Sequence, residues 1–237
     1  MESPNRKSYR NRVLGSLPAS EMERLAPHLS PQTFRRNQTL YNPGQTVDTI
    51  YFLENGICSI VVTMENGSSI EVGIIGRDGF IGLPAILGTG HSLGHSFIQI
   101  AGSGYAVKAK TLVEQSQDGS GQLRLCLQRG MQGLLTQTAQ TAACNRVHEL
   151  EERLARWLLM CRDRIRLDDL PITHEFLSMM LGTNRSSVTV AAGMLQRAGL
   201  ITYSRGRVRI ENCKGLEKAA CECYSTVYDE YVRLGLL

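Results

Sequence analysis

The sequence has no apolar run long enough to cross a bilayer. Its longest uncharged stretches, Ile57–Met64 and Ser92–Val107, are too short or too rich in Gly, Ser and His. The N-terminus opens on Glu2, Arg6, Lys7, Arg10 and Arg12 without an apolar core behind them, so neither signal peptide nor membrane contact is expected and the chain is placed in the cytoplasm. Seven cysteines, an odd number spread over the chain, then read as reduced thiols. Catalytic signatures are also missing: there is no nucleophile–base–acid set, no metal-spaced His cluster, and no phosphate loop. Gly76-Arg77-Asp78-Gly79-Phe80-Ile81-Gly82 lacks both the spacing and the following helix that such a loop needs. No enzyme, cofactor or metal site is expected. Charge of one sign is scarce too, with 26 Lys/Arg against 22 Asp/Glu.

The small excess is unevenly placed. Between Thr173 and Ile210 stand Arg185, Arg197, Arg205, Arg207 and Arg209 against Glu175 alone, a local balance of +4 that equals the net charge of the whole chain. Such a patch can focus the field of a polyanion.

At 237 residues and 42 % apolar composition the chain can fold as two modest domains. A basic arm and a short helix, capped at Ser20 and interrupted by Pro27, occupy residues 1–33. Strands follow to about Lys110: Val47–Leu53, Ile57–Met64, Ser68–Ile75 and the region Ser96–Lys108. Asn55-Gly56 and Asn66-Gly67 between them suit tight hairpins. Short antiparallel strands with frequent turns indicate a small β-sandwich or barrel.

Beyond Ser120 a long helix is predicted. Leu123, Leu127, Met131, Leu134 and Thr138 form one stripe, and Leu135, Ala139, Ala143, Val147, Leu150, Leu154 and Leu158 a second. Two apolar faces need two surfaces, which a sheet domain and a second copy of the chain would supply. The first stripe is taken as the dimer contact. Gly130 and Gly133 mark either a close approach or a break.

The most informative segment begins at Thr173, an N-cap for His174–Leu181. Gly182 permits a sharp turn, and a second helix starts at Asn184 or Arg185 and runs through Ala198. In a helix-turn-helix of this kind the second helix offers its N-terminal edge to the DNA major groove, here Arg185, Ser186, Ser187 and Thr189. Leu200–Tyr203 and Arg207–Ile210 around Ser204-Arg205-Gly206 read as a wing. Its arginines, with Thr173 and Asn184, are expected to contact phosphates. Cys221 and Cys223 are read as small packing residues of a terminal helix, Leu216–Arg233, on which they would point in different directions, with only Cys213 near enough to join them.

The run Thr173 to Thr189, followed by Leu195-Gln196-Arg197-Ala198-Gly199-Leu200-Ile201 and Tyr203-Ser204-Arg205-Gly206-Arg207, resembles the C-terminal domain of the bacterial Crp–Fnr transcription regulators. The strands, the Phe80-Ile81-Gly82 turn and the long helix fall where that family has its effector domain and dimer helix. The resemblance implies an α+β chain: an N-terminal antiparallel β-roll/jelly-roll effector domain (1–117), a dimerisation helix (118–147) and a C-terminal winged helix-turn-helix domain (148–237). It further implies a homodimer on near-palindromic double-stranded DNA, with RNA polymerase as a further partner. The family's guanine-reading arginine falls on Arg185. Its glutamate and second arginine fall on Ser186 and Val190, which cannot make the same contacts.

The effector pocket implied by the resemblance looks degenerate. Leu83 stands where cyclic-nucleotide binders carry the ribose-binding glutamate, and His95-Ser96 where they carry a phosphate-binding Arg-Ser pair; no arginine lies between Arg77 and Arg124. No cysteine precedes Cys58, so the family's iron–sulfur cluster lacks its ligands. The effector is left unknown. The alternative is a sensor of a cyclic dinucleotide or other metabolite whose C-terminal domain docks a protein partner.

Overall fold

The computed structural model describes residues 9–237; Arg6 and Lys7 of the expected basic arm lie outside the described residues. Asn11 caps α1 (Arg12–Gly15), accepting from the amides of Val13 and Leu14. Its own amide group donates to the carbonyls of Leu53 and Gly79, which ties the N-terminus to the sheet domain. A second helix, α2, spans Ala19–Leu25.

Seven strands form two antiparallel sheets. These are β1 (Ser30–Phe34), β2 (Thr39–Tyr41), β3 (Thr49–Leu53), β4 (Ile57–Thr63), β5 (Ser69–Ile75), β6 (His95–Ile100) and β7 (Gly102–Lys108). One sheet has the order β1-β7-β3 and the other β2-β6-β4-β5. The expected strand region Ser96–Lys108 is therefore two strands that serve different sheets. The two Asn-Gly turns also differ. Asn66-Gly67 joins the paired strands β4 and β5, whereas Asn55-Gly56 carries the chain from one sheet to the other. Gly56 is required there by its φ of 86° and by the Ile100 carbonyl, 2.7 Å from where a Cβ would stand. Phe34, Leu40, Tyr41, Cys58 and Ile98 fill the space between the sheets.

After α3 (Leu83–Ile86) and α4 (Ala109–Gln117) comes α5, an unbroken helix over Gln122–Val147. Gly130 and Gly133 mark close approaches, not a break. Cβ atoms there would lie 3.1 Å from Phe80 and 2.9 Å from Leu236. The helix ends before His148, and α6 (Leu150–Ile165) restarts with a reciprocal capping box between Glu149 and Glu152. The second stripe read from the sequence thus crosses two helices. Acidic Glu151 and Glu152 in the first turn of α6, with Arg162 and Arg164 in its last, complement the helix dipole.

The remainder is a winged helix domain: β8 (Asp169–Leu170), α7 (His174–Leu181), α8 (Arg185–Arg197), β9 (Ile201–Ser204), β10 (Arg207–Ile210), α9 (Cys213–Ala219) and α10 (Cys223–Arg233). The single terminal helix expected over Leu216–Arg233 is two, broken around Cys221. One apolar cluster runs from Ile57, Ile74 and Phe97 of the sheet through Trp157 and Leu158 of α6 to Leu177, Val188 and Leu195. The winged domain is therefore docked on its own sheet domain, and α10 lies along α5.

Candidate nucleic-acid interface

Thr173 caps α7 by accepting from the Phe176 amide, 3.2 Å away. Gly182 sits in the left-handed region at φ 60° and packs on Ile70 of β5. Asn184 then caps α8 through a 2.8 Å bond from the Ser187 amide. Leu177, Leu181, Val188, Ala192 and Leu195 close the core beneath the two helices. The alternation in α8 leaves Arg185, Ser186 and Thr189 exposed, with Ser187 half-buried.

Arg185 makes no side-chain hydrogen bond or ion pair among the described residues. Its charge acts on His174, whose pKa is lowered first by burial and then by Arg185. His174 stacks on Tyr203 at 3.8 Å between ring centroids, and its Nδ1 lies 3.0 Å from Thr189 Oγ1. The Thr189 hydroxyl also donates to the Arg185 carbonyl at 2.9 Å, so its methyl is the part left for an incoming base. Ser186 donates to Asn184 at 2.6 Å and keeps its lone pairs free. The sequence reading passed over His174 as a plain helix residue; only its place after the cap hinted that it would touch the second helix and the wing.

In the wing, Val208 and Ile210 are buried while Arg207 and Arg209 are exposed. Arg205 and Gly206 at the tip both have positive φ, 49° and 75°, as a two-residue hairpin of this twist requires. The arginines are not equivalent. Arg207 is clamped by Asp169 of β8, with its Nη2 2.9 Å from Oδ2, and Arg209 lies 3.6 Å from Glu211. Arg205 has no such partner among the described residues. Strand β8, which positions Asp169, was not foreseen because two polar-flanked residues carry no periodicity. Thr173 and Asn184 line an open groove of about 900 Å³ that also touches Arg36, Asn37 and the β4–β5 turn.

The dimer stripe needs correction. Leu123 and Leu127 are 1 % exposed within one protomer, packed on Val13, Leu14 and Leu112, and so cannot offer a surface to a second copy. Met131 packs on the same core, and Leu134 and Thr138 line a cavity against the sheet. Leu135, Ala139, Ala143 and Val147 of the second stripe are exposed, as are Leu125 and Ala142 of the same helix.

That cavity, of about 330 Å³, takes in part of the set expected to line an effector pocket. Leu83 and Ser96 meet in it, with Tyr41, Val72 and Leu134. His95 does not join them: it lies on the opposite face of β6, stacked on Phe97 and 3.0 Å from Thr39 Oγ1, because neighbouring strand residues point to opposite sides. Among the described residues no charged side chain lines the cavity.

A sandwiched β-roll, one long helix and an attached winged helix with an uncovered cationic edge define the class of two-domain transcription regulators. Residues 31–99 match the cyclic nucleotide-binding domain family and residues 152–219 the Crp-like helix-turn-helix domain family. The chain thus combines a cyclic nucleotide-binding domain with a Crp-like helix-turn-helix domain, the two-domain composition that the resemblance to Crp–Fnr regulators implies. It is 25 % identical over 207 residues to the global nitrogen regulator of Synechocystis sp., covering 82 % of this chain and 91 % of that protein. It is 26 % identical to the transcriptional regulator LdrP of Thermus thermophilus, covering 79 % and 95 %. FixK2 from Bradyrhizobium japonicum shares the fold at a TM-score of 0.70 and 16 % identity, over 81 % of this chain and 98 % of that one. No helix among the described residues is long and apolar enough to cross a membrane.

Proposed function

We propose that this regulator is cytoplasmic and binds a near-palindromic operator as a homodimer, reading each half-site with α8. The observation that carries the reading is the exposure of Arg185, Ser186, Thr189 and the wing arginines on one face of the winged domain. A domain whose role is to dock on a protein has no need of a bare guanidinium beside a helix N-terminus, and covered arginines would have favoured that alternative.

Arg185 has the reach and freedom for a bidentate contact to guanine, a contact of about 1–3 kcal/mol in base discrimination. Val190, 62 % exposed, and the Thr189 methyl suit thymine methyl groups. This set differs from the family's best-known reading residues and so implies a different operator. Arg205 carries the sequence-independent phosphate contact, helped by Thr173 and Asn184. Arg207 and Arg209 contribute less because each has an acidic neighbour. A twin chain packed on Leu135, Ala139 and Ala143 would set two recognition helices about 34 Å apart, one duplex turn.

Selection of bound fragments from random duplexes with the purified chain tests the reading, and an enriched palindrome is the expected result. Arg185→Ala should then flatten the preference, whereas Arg205→Ala should weaken all duplexes alike and reduce the salt slope by about one. Absence of any enriched sequence at low salt, from a protein shown to be folded, would defeat the proposal.

A further inference from the structure

Away from the DNA-facing surface, four side chains able to ligate a metal converge where α5, the α5–α6 link and the start of α10 meet. They are Cys144, His148, Cys221 and Cys223, and one ligand atom from each lies within 4.8 Å of all the others. Cys144 Sγ is 3.5 Å from Cys221 Sγ, and Cys223 Sγ is 3.5 Å from His148 Nδ1. In a tetrahedral zinc site, bonds of about 2.3 Å to sulfur and about 2.0–2.1 Å to nitrogen put ligand atoms about 3.8 Å apart for two sulfurs and about 3.6 Å for sulfur and nitrogen. The two close pairs therefore already stand near the spacing of one coordination sphere. We propose that these three cysteines and one histidine bind a single zinc ion that staples the interdomain link to the C-terminal helix.

The surroundings support a metal over packing alone. The three thiols form an apolar cluster of their own, separate from the larger cores. Had they been fillers, Leu or Val would be expected among them. Instead the neighbours are polar. His148 Nε2 lies 3.1 Å from the Glu222 carboxylate, a contact that fixes the tautomer of a ligating histidine and leaves Nδ1 for the metal. The Gln140 amide donates to Cys223 Sγ at 3.2 Å, as it would to a thiolate. Cys221-Glu222-Cys223 thus supplies two ligands and the orienting carboxylate in three residues. Three thiolates and a divalent cation leave one negative charge. Arg156 acts electrostatically on Cys144 and Arg153 on both Cys144 and Cys221, and each arginine has a buried Nε without a hydrogen-bond partner.

The sequence alone could not assemble this set, because Cys144 and His148 precede Cys221 by more than seventy residues and Cys213, the nearer thiol, turns to Glu217. An S₃N donor set selects zinc over hard cations. Its location gives the ion a mechanical role. His148 belongs to the short link about which the winged domain would swing relative to α5, and the cysteines anchor that link to α10.

The test uses the full-length chain purified under reducing conditions without chelator. Elemental analysis should find one zinc per chain, and cobalt added to the stripped protein should produce thiolate-to-metal charge-transfer absorption with visible bands of tetrahedral intensity. Cys221→Ser should abolish this signal and Cys213→Ser leave it intact. Glu222→Gln, at an exposed position that does not threaten folding, should weaken metal affinity about 10–100-fold. Stripping should also speed amide exchange in residues 144–150 and 219–224. Reduced wild-type protein that takes up neither metal overturns the proposal, as does Cys221→Ser retaining full stoichiometry. A Cys144–Cys221 disulfide in the isolated protein, with no metal uptake after its reduction, overturns it as well. None of these readouts depends on DNA, so loss of this site and loss of the DNA-binding reading remain separate results.

Discussion

Replacing Glu71 with Gln should stabilise the protein at neutral and alkaline pH while leaving it unchanged in acid. Glu71 lies on β5, 5 % exposed, and accepts a 2.6 Å bond from the indole N–H of Trp157 on α6; its other carboxylate oxygen is buried without a partner. Burial pushes its pKa from 4.5 up to about 7, against the nearby Ser59 hydroxyl, the hydrogen bond from Trp157 and the charges of Arg156 and Arg164. The folded chain therefore holds this proton more tightly than the unfolded one. Below about pH 4 both states are protonated and nothing is lost. As pH climbs from 4.5 toward 7 the unfolded chain ionises first, and stability declines. Above pH 7 the deficit is constant: the difference between the two pKa values, at about 1.4 kcal/mol each unit, gives about 3 kcal/mol. Gln keeps an acceptor for the indole and never ionises. Unfolding of wild type and Glu71→Gln at pH 4 and pH 8 should then differ by almost nothing and by about 3 kcal/mol, the latter worth about 6–12 °C in a chain of this size. Trp157 is the sole tryptophan, so its emission reports on this contact and should titrate near pH 7 in the wild type alone. A stability difference that stays the same from pH 5 to pH 8, or emission that titrates identically in both proteins, would refute the reasoning.

Leu135 is 65 % exposed on α5, and Leu135→Asp should turn a dimer into a folded monomer in sedimentation experiments, whereas a dimer that persists would place the contact elsewhere. Gly133→Ala puts a Cβ 2.9 Å from Leu236, so an overpacking cost of about 1–3 kcal/mol should exceed the helix-propensity gain of up to about 1 kcal/mol and lower the melting temperature. With no charged residue among the described ones lining the cavity beneath α5, calorimetry should detect no cAMP binding tighter than about 10 μM. A tighter complex would mean that the pocket finds a cation from elsewhere.

What could be read from the sequence was local. Thr173, Gly182 and Asn184 each act through neighbours within a few residues, so the helix-turn-helix and its exposed edge were visible in order and spacing. The hairpin at Asn66-Gly67 was visible for the same reason. Asn55-Gly56 was misleading because a glycine with positive φ serves a crossover as well as a hairpin, and partner choice is set by strands more than forty residues away. The stripes of α5 posed a similar problem. Periodicity reveals that a helix has two apolar faces but not which surface meets each, and here the protomer's own core takes Leu123 and Leu127. His95 was misplaced because pocket membership depends on strand parity, which a loop of uncertain length conceals. The cysteine cluster was invisible because its members are contributed by elements distant in sequence.

The contacts that dock the winged domain on the sheet join a buried ion pair to the apolar cluster of Ile57, Ile74, Trp157 and Leu158. Arg164 of α6 is buried and lies 2.7 Å from buried Asp78, which in turn accepts from the Gly76 amide; the same guanidinium donates to the Met160 carbonyl and covers the Tyr231 ring of α10. Gln137 of α5 donates to the Ile74 carbonyl beside it. A buried ion pair adds little net stability over an apolar replacement, since desolvation offsets most of the attraction, but breaking it by removing one partner costs about 3–5 kcal/mol. An interface built this way discriminates sharply between poses. A displacement of the Gly76–Asp78 turn away from α6 would break the pair, while the apolar cluster beside it has no such directional requirement. The Gly76–Asp78 turn of the sheet domain, α5 and α10 all meet Arg164, and α6, which carries it, packs on α8, the helix of Arg185.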